Sequence, residues 1–75
     1  MTDQELFNLI ALNVRVERTL KRLTQAQLAE KIDVHEKYIG KIEAGKQNVT
    51  IKTLNKIANA LNISMIRLLE NKNDI

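Results

Sequence analysis

Residues 24–54 read TQAQLAEKIDVHEKYIGKIEAGKQNVTIKTL, and the caps, apolar positions and turn residues in this stretch decide the fold. Thr24 followed three places later by Gln27 is a capping box: the hydroxyl accepts an orphan amide of the first turn while the glutamine reaches back to the cap backbone. A helix therefore opens at Gln25 and turns Leu28, Ala29 and Ile32 inward. It stops near Asp33, a residue type that tolerates a left-handed conformation, which predicts a helix over 25–32. Val34 leads into the next helix, over 35–43, with Ile39 and Ile42 inward and Gly45 just past the end as a stop. Two short helices joined by so brief a turn cross steeply, and the crossing demands a small side chain. Ala29 meets that demand against Ile39. Beyond a polar loop at 46–49, Thr50 can cap a helix over 51–61 that carries Ile51, Leu54, Ile57, Ala58 and Leu61.

Outward from this stretch the pattern stays helical. Towards the N-terminus, Leu6, Phe7, Ile10, Ala11 and Val14 recur at three- and four-residue spacing. Acidic residues come early and basic ones late, as the helix dipole favours, and a long first helix over 3–21 follows. Towards the C-terminus, Ser64 can cap a last helix over 65–71, followed by a frayed polar tail. With no proline, no internal repeat and no low-complexity run, the expectation is an all-α, five-helix single domain spanning 1–75.

A chain of 75 residues has room for one compact core. Its balance of 44% hydrophobic and 28% charged residues is that of a folded domain and not of a disordered or membrane segment. Cysteine is absent, so neither disulfides nor thiolate metal sites brace the core, and tight helix packing or association must do so. One histidine cannot build a zinc site, so no metal and no cofactor is expected. Asn8 and Asn13 break the apolar N-terminal stretch, which also lacks a basic leader. The expectation is a cytoplasmic protein without membrane association. No serine, cysteine or paired-carboxylate arrangement with a nearby base stands out, and no glycine-rich phosphate loop is present, which argues against an enzyme. The net charge of +3 suits a polyanionic partner but is weak evidence by itself. With one tyrosine and one phenylalanine there are no aromatic pairs on which RNA bases would stack, which makes RNA the less favoured polyanion.

The quoted segment resembles the helix-turn-helix of phage-repressor-type regulators, the Xre or Cro family. The resemblance covers roughly 14–69 and is carried by Arg18, Thr24-Gln25, Leu28-Ala29, Val34, Tyr38-Ile39, Ile42-Glu43, Gly45 and Leu54. Within that family the wording YIGKIEAGKQNVTIKTL followed by KIANALNIS is most similar to the small controller regulators of restriction-modification systems. The resemblance implies that the helix over 25–32 crosses the backbone of double-stranded DNA while the helix over 35–43 lies in the major groove. On that reading helix, Glu36, Lys37, Gly40 and Lys41 should face outward. Lys37 and Lys41, one turn apart, can donate to guanine O6 and N7. Glu36 has two open readings: it accepts from a cytosine amino group, or it swings aside to screen Lys37. His35 stands where the family has a Ser, Thr or Asp cap, and is either a plain cap or a base or phosphate contact. Tyr38 can pack beside Ile42 while its hydroxyl reaches a phosphate. Thr24 and Gln25, at a helix start where free amides favour an anion, are implied to hold a phosphate. Lys46 and Gln47, with Asn48, would hold the backbone across the groove. Arg18 and Glu43 match a family ion pair that ties the first helix to the end of the reading helix. Glu17, Arg22 and Asp33 depart from the family pattern, the first from an apolar residue and the others from small residues or glycine.

Met65, Ile66, Leu68 and Leu69 wrap too far around the last helix for all to enter one small core, so Met65, Ile66 and Leu69 are expected to meet a second copy. The competing reading lets Ile63, Ile66 and Leu69 close the core and leaves Met65 exposed. A twofold dimer would set two reading helices about 34 Å apart on a near-palindromic operator. A chain this short leaves little room for a small-molecule effector site. An antitoxin-like or accessory protein-interaction module using the same fold is the alternative function.

Overall fold

The computed structural model describes residues 1–72. It contains α1 (Asp3–Leu20), α2 (Gln25–Lys31), α3 (Glu36–Glu43), α4 (Ile51–Ala60) and a single 3-10 turn (Met65–Leu68), with no strand among the described residues. No helix in it is long and apolar enough to cross a membrane.

The caps explain where each helix begins. Thr24 Oγ1 accepts from the Gln27 amide at 3.0 Å and Gln27 Oε1 accepts from the Thr24 amide at 2.8 Å, which is the box expected from the sequence. The same arrangement opens α1, where Thr2 Oγ1 accepts from Glu5 N–H and Glu5 Oε1 accepts from Thr2 N–H. The Thr2 backbone and hydroxyl bonds hold the Glu5 carboxyl below its ordinary value. Thr50 caps α4 and Ser64 caps the 3-10 turn.

The core gathers Ile10 and Val14 from α1, Leu28, Ala29 and Ile32 from α2 and its end, Ile39 and Ile42 from α3, Leu54, Ile57, Ala58 and Leu61 from α4, and Leu68. Ala29 and Ile39 are both buried in it, as the steep α2/α3 crossing requires. Two positions read as inward are not. Leu6 is exposed, and Ile51 is 75% exposed because the first position of α4 lies beyond the edge of the core that Leu54, Ile57 and Leu61 cover.

All four helices end in the same way. The residue two past each C-cap donates its amide five residues back: Leu23 to Arg18, Val34 to Ala29, Lys46 to Lys41 and Ile63 to Ala58, at 3.0–3.2 Å. The residue between takes a left-handed backbone, at Arg22 (φ 57), Asp33 (φ 60), Gly45 (φ 71) and Asn62 (φ 56). This is the Schellman motif, whose usual companion is an apolar contact from the last residue back onto the helix. Leu23, Val34 and Ile63 make that contact by packing against the core. After α3 the equivalent residue is Lys46, and it is exposed.

The expected fifth helix over 65–71 is instead four residues of 3-10 turn, so the architecture is four α-helices and a turn. The amides of Arg67 and Leu69 bond three residues back, to Ser64 and Ile66, and the chain past the turn is held by Asn13, fully buried on α1. Its Nδ2 donates to the Leu68 and Glu70 carbonyls at 2.9 and 2.8 Å, tying the end of the turn to α1. One turn further along α1, the buried Glu17 carboxylate accepts from Lys72 Nζ at 2.8 Å and from Arg67 at 3.3 Å. Lys72 is therefore anchored and not frayed; residues 73–75 of the expected tail lie outside the described residues. Burial pushes the Glu17 carboxyl up, but the hydrogen bonds and charges of Lys72 and Arg67 outweigh it and hold the group below its ordinary value.

Candidate nucleic-acid interface

The outward side of α3 is built on three inward anchors. Ile39, Ile42 and the end residue Glu43 are buried, which leaves Glu36, Lys37, Gly40, Lys41 and Ala44 to face away from the core. With Gln25 from α2 and Lys46 from the following loop, these residues line one shallow surface depression. Six of the residues singled out in the sequence thus meet on one surface. Ala44 was not singled out, although its place four residues after Gly40 puts it on the same helix face.

The charges in this depression are unequal. Lys37, Lys41 and Lys46 form no ion pair among the described residues, and one carboxylate, Glu36, stands with them. Gly40 leaves room beside Gln25: a methyl placed there would lie 3.7 Å from Gln25 Oε1. The lining is therefore net basic, with three lysines to one carboxylate, which suits a polyanion.

The flanking residues are placed as follows. Thr24 is occupied as the α2 cap. His35 is the α3 cap, with Nδ1 accepting from the Lys37 amide at 3.1 Å, so the neutral imidazole carries its proton on Nε2. Tyr38 is half-buried and packed against the core. Gln47 is half-buried in the loop after α3.

Glu43 is the junction that holds this surface to the rest of the molecule. Its carboxylate is 2% exposed and receives a two-pronged contact from Arg18, with Nε to Oε2 at 2.6 Å and the terminal nitrogen to Oε1 at 2.9 Å. Arg18 also donates to the Leu23 carbonyl at 2.7 Å, so one guanidinium links α1, the start of the turn before α2, and the end of α3. The hydrogen bonds that Arg18 donates to Glu43 raise its already high pKa against the opposing effect of burial. Gln25 Nε2 donates to the same Glu43 Oε1 at 3.1 Å, binding the first turn of α2 to α3. Arg15, which the sequence reading passed over, donates to the Glu43 carbonyl at 3.4 Å while remaining mostly exposed.

At the far end of the chain, Leu68 is fully buried and Met65 packs partly against the core, whereas Ile66 is 66% and Leu69 42% exposed. No group of three or more potential metal-ligating side chains occurs among the described residues.

Comparison with known proteins agrees with this geometry. A helix-turn-helix family profile matches residues 14–68. The control protein C.SmaI of Serratia marcescens is 46% identical over 61 residues, covering 81% of this chain and 73% of that protein. Among solved structures, the restriction-modification controller protein C.AhdI of Aeromonas hydrophila superimposes with a TM-score of 0.80 at 32% identity, over 83% of this chain and 94% of that one. A hypothetical transcription factor from Neisseria superimposes with a TM-score of 0.89 at 26% identity, over 99% of this chain and 85% of that one. Matching surface, scaffold and sequence together, the chain belongs to the helix-turn-helix family of DNA-binding transcription regulators and is similar to restriction-modification controller proteins.

Proposed function

We propose that the protein acts in the cytoplasm as a homodimer that reads a near-palindromic operator through the major groove, and that it controls the genes of a restriction-modification system. The observation that carries the reading is the surface depression where Gln25, Glu36, Lys37, Gly40, Lys41 and Lys46 meet, with three lysines to one carboxylate. In that role α3 enters the groove. Lys37 and Lys41 present donors to guanine edges, and Glu36 faces a cytosine amino group or screens Lys37. Lys46 and Gln47 hold one strand of the backbone while Thr24 and Gln25, at the start of α2, hold the other. His35 caps α3 and keeps Nε2–H for an acceptor, and the half-buried Tyr38 lends its hydroxyl to a phosphate. The Arg18–Glu43 pair fixes α3 on its scaffold.

Ile66 and Leu69, exposed side chains on the C-terminal turn with the partly covered Met65 beside them, supply the contact between copies. Occupancy in this reading follows dimer concentration. Likeness to the controller proteins supports the regulatory role. Selection of bound duplexes from a random pool tests the whole reading: an enriched inverted repeat is expected, and no enrichment over bulk competitor at low ionic strength would overturn it. Charge reversal at Lys37, Lys41 and Lys46 that left every activity intact would favour a protein partner instead.

A further inference from the structure

The loop that leaves α3 is held differently from every other helix exit in the molecule. After α1, α2 and α4, an apolar residue, Leu23, Val34 or Ile63, pins the end of the Schellman turn to the core. After α3 that position is Lys46, which faces solvent and cannot serve as a pin. A polar contact from the other end of the molecule takes its place. Gln4, in the first turn of α1, donates from Nε2 to the Gly45 carbonyl at 2.9 Å and to Asn8 Oδ1 at 2.9 Å. The Lys46 amide donates to the Lys41 carbonyl at 3.0 Å, so the Gly45–Lys46 peptide is fixed at both its oxygen and its nitrogen. The fit is close: a Cβ at Gly45, whose φ is +71, would come within 2.5 Å of Asn8 Oδ1.

We infer that Gln4 is a positioning residue for DNA binding, acting 41 residues away in sequence through the Gly45–Lys46 peptide to aim Lys46 at the phosphate backbone. The inference rests on the DNA-facing role proposed above for Lys46. Gln4 itself is exposed and belongs to no part of the core, so its removal leaves the fold in place. What it removes is the hydrogen bond on the oxygen side of the peptide before Lys46, leaving the Lys46 amide bond to Lys41 as the remaining hold. A lysine on a loop so loosened still attracts a phosphate, but it must be ordered on binding, and that ordering opposes association.

The test uses the intact chain and a random-sequence duplex at low ionic strength, because a backbone contact does not depend on base sequence. Gln4→Ala is expected to weaken binding by about 3- to 10-fold, the span of one hydrogen bond's net contribution, in a chain that remains fully folded at the assay temperature. Gln4→Glu, which cannot donate to a carbonyl, should be at least as weak. The salt slope should flatten by roughly one for each phosphate that Lys46 no longer holds. Lys46→Ala supplies the background that a merely structural role would not affect: in it, Gln4→Ala should have no further effect on binding. Full additivity of the two substitutions, or an unchanged affinity in Gln4→Ala alone, overturns the positioning role while leaving Lys46 in the interface. If Lys46→Ala binds as well as the native protein, the interface assignment of Lys46 fails and the inference fails with it.

Discussion

Arg18→Ala removes the guanidinium that answers a carboxylate almost wholly shut off from solvent. Glu43 is 2% exposed, and both of its oxygens receive Arg18 at 2.6 and 2.9 Å. Breaking one side of a buried pair costs roughly 3–5 kcal/mol, most of it the unanswered charge left behind. Two neighbours reduce that figure. Gln25 Nε2 stays on Oε1 at 3.1 Å, and the exposed Arg15, now 3.9 Å from the same oxygen, can move closer. The expected loss is therefore at the lower end, about 3 kcal/mol. For a domain of this size that corresponds to a fall in Tm of roughly 12–24 °C, read by circular dichroism on heating, with urea unfolding as the isothermal check. The pair also joins α3 to α1, so operator affinity should fall in the variant even where it is fully folded. Replacing both partners by apolar residues, Arg18→Met with Glu43→Leu, should recover most of the stability. A melting curve for Arg18→Ala that overlays the native one would refute the view that this junction holds the reading helix in place.

Three further outcomes follow from the same geometry. Glu17 titrates below its ordinary 4.5 in the folded chain, so its contribution is complete above that value and fades as the pH falls through the lower, folded value. Glu17→Gln should therefore lose stability against the native protein at neutral pH and converge with it in acid, and parallel acid-unfolding curves would contradict this. Gly40→Ala should stabilise α3 by about 0.5–1 kcal/mol through helix propensity, since the added methyl meets only Gln25 Oε1 at 3.7 Å. It should also weaken operator binding by filling the room beside Gln25, the two effects being separated by chemical unfolding and gel-shift titration. Ile66→Lys with Leu69→Lys, at side chains that the fold leaves exposed, should yield a folded monomer by analytical ultracentrifugation; an unchanged sedimentation coefficient would place the contact between copies elsewhere.

Local chemistry was readable before any coordinates. Thr24 and Gln27, Asp33, Ala29, Gly45 and Thr50 each do what a short-range rule says that residue type should do at that spacing. Arg22 and Asp33, which depart from the family's small residues, take the left-handed turn positions themselves, so the family turn geometry survives without glycine. The Thr2–Glu5 box obeys the same rule as Thr24–Gln27 and was equally available, but the apolar period beginning at Leu6 drew the reading past it. What no local rule could supply were contacts closed over long separations: Asn13 with the Leu68 and Glu70 carbonyls, Glu17 with Arg67 and Lys72, and Gln4 with Gly45. Three- and four-residue apolar spacing at 65–69 suits an α-helix and a 3-10 turn alike, and the hold of Asn13 on the Leu68 and Glu70 carbonyls is not visible in it. Residue type and helical phase brought Lys37, Gly40 and Lys41 to one face, and the structure places them around one surface depression. The link from Gln25 to Glu43 and the approach of Arg15 needed the packed arrangement of α1, α2 and α3.

The buried Glu17 also has a consequence for the order of events during synthesis. Its counter-charges arrive 50 and 55 residues later in the chain. While a ribosome still holds residues 67–72, the carboxylate has no basic partner from that segment and stays favoured in water, so the middle of α1 resists being closed over. Until those residues emerge, the Glu17 carboxylate lacks both of the basic partners that it has in the finished fold. The same contact joins the first helix to the segment that bears Ile66 and Leu69, so the side chains exposed there are carried by a part of the chain strapped to α1.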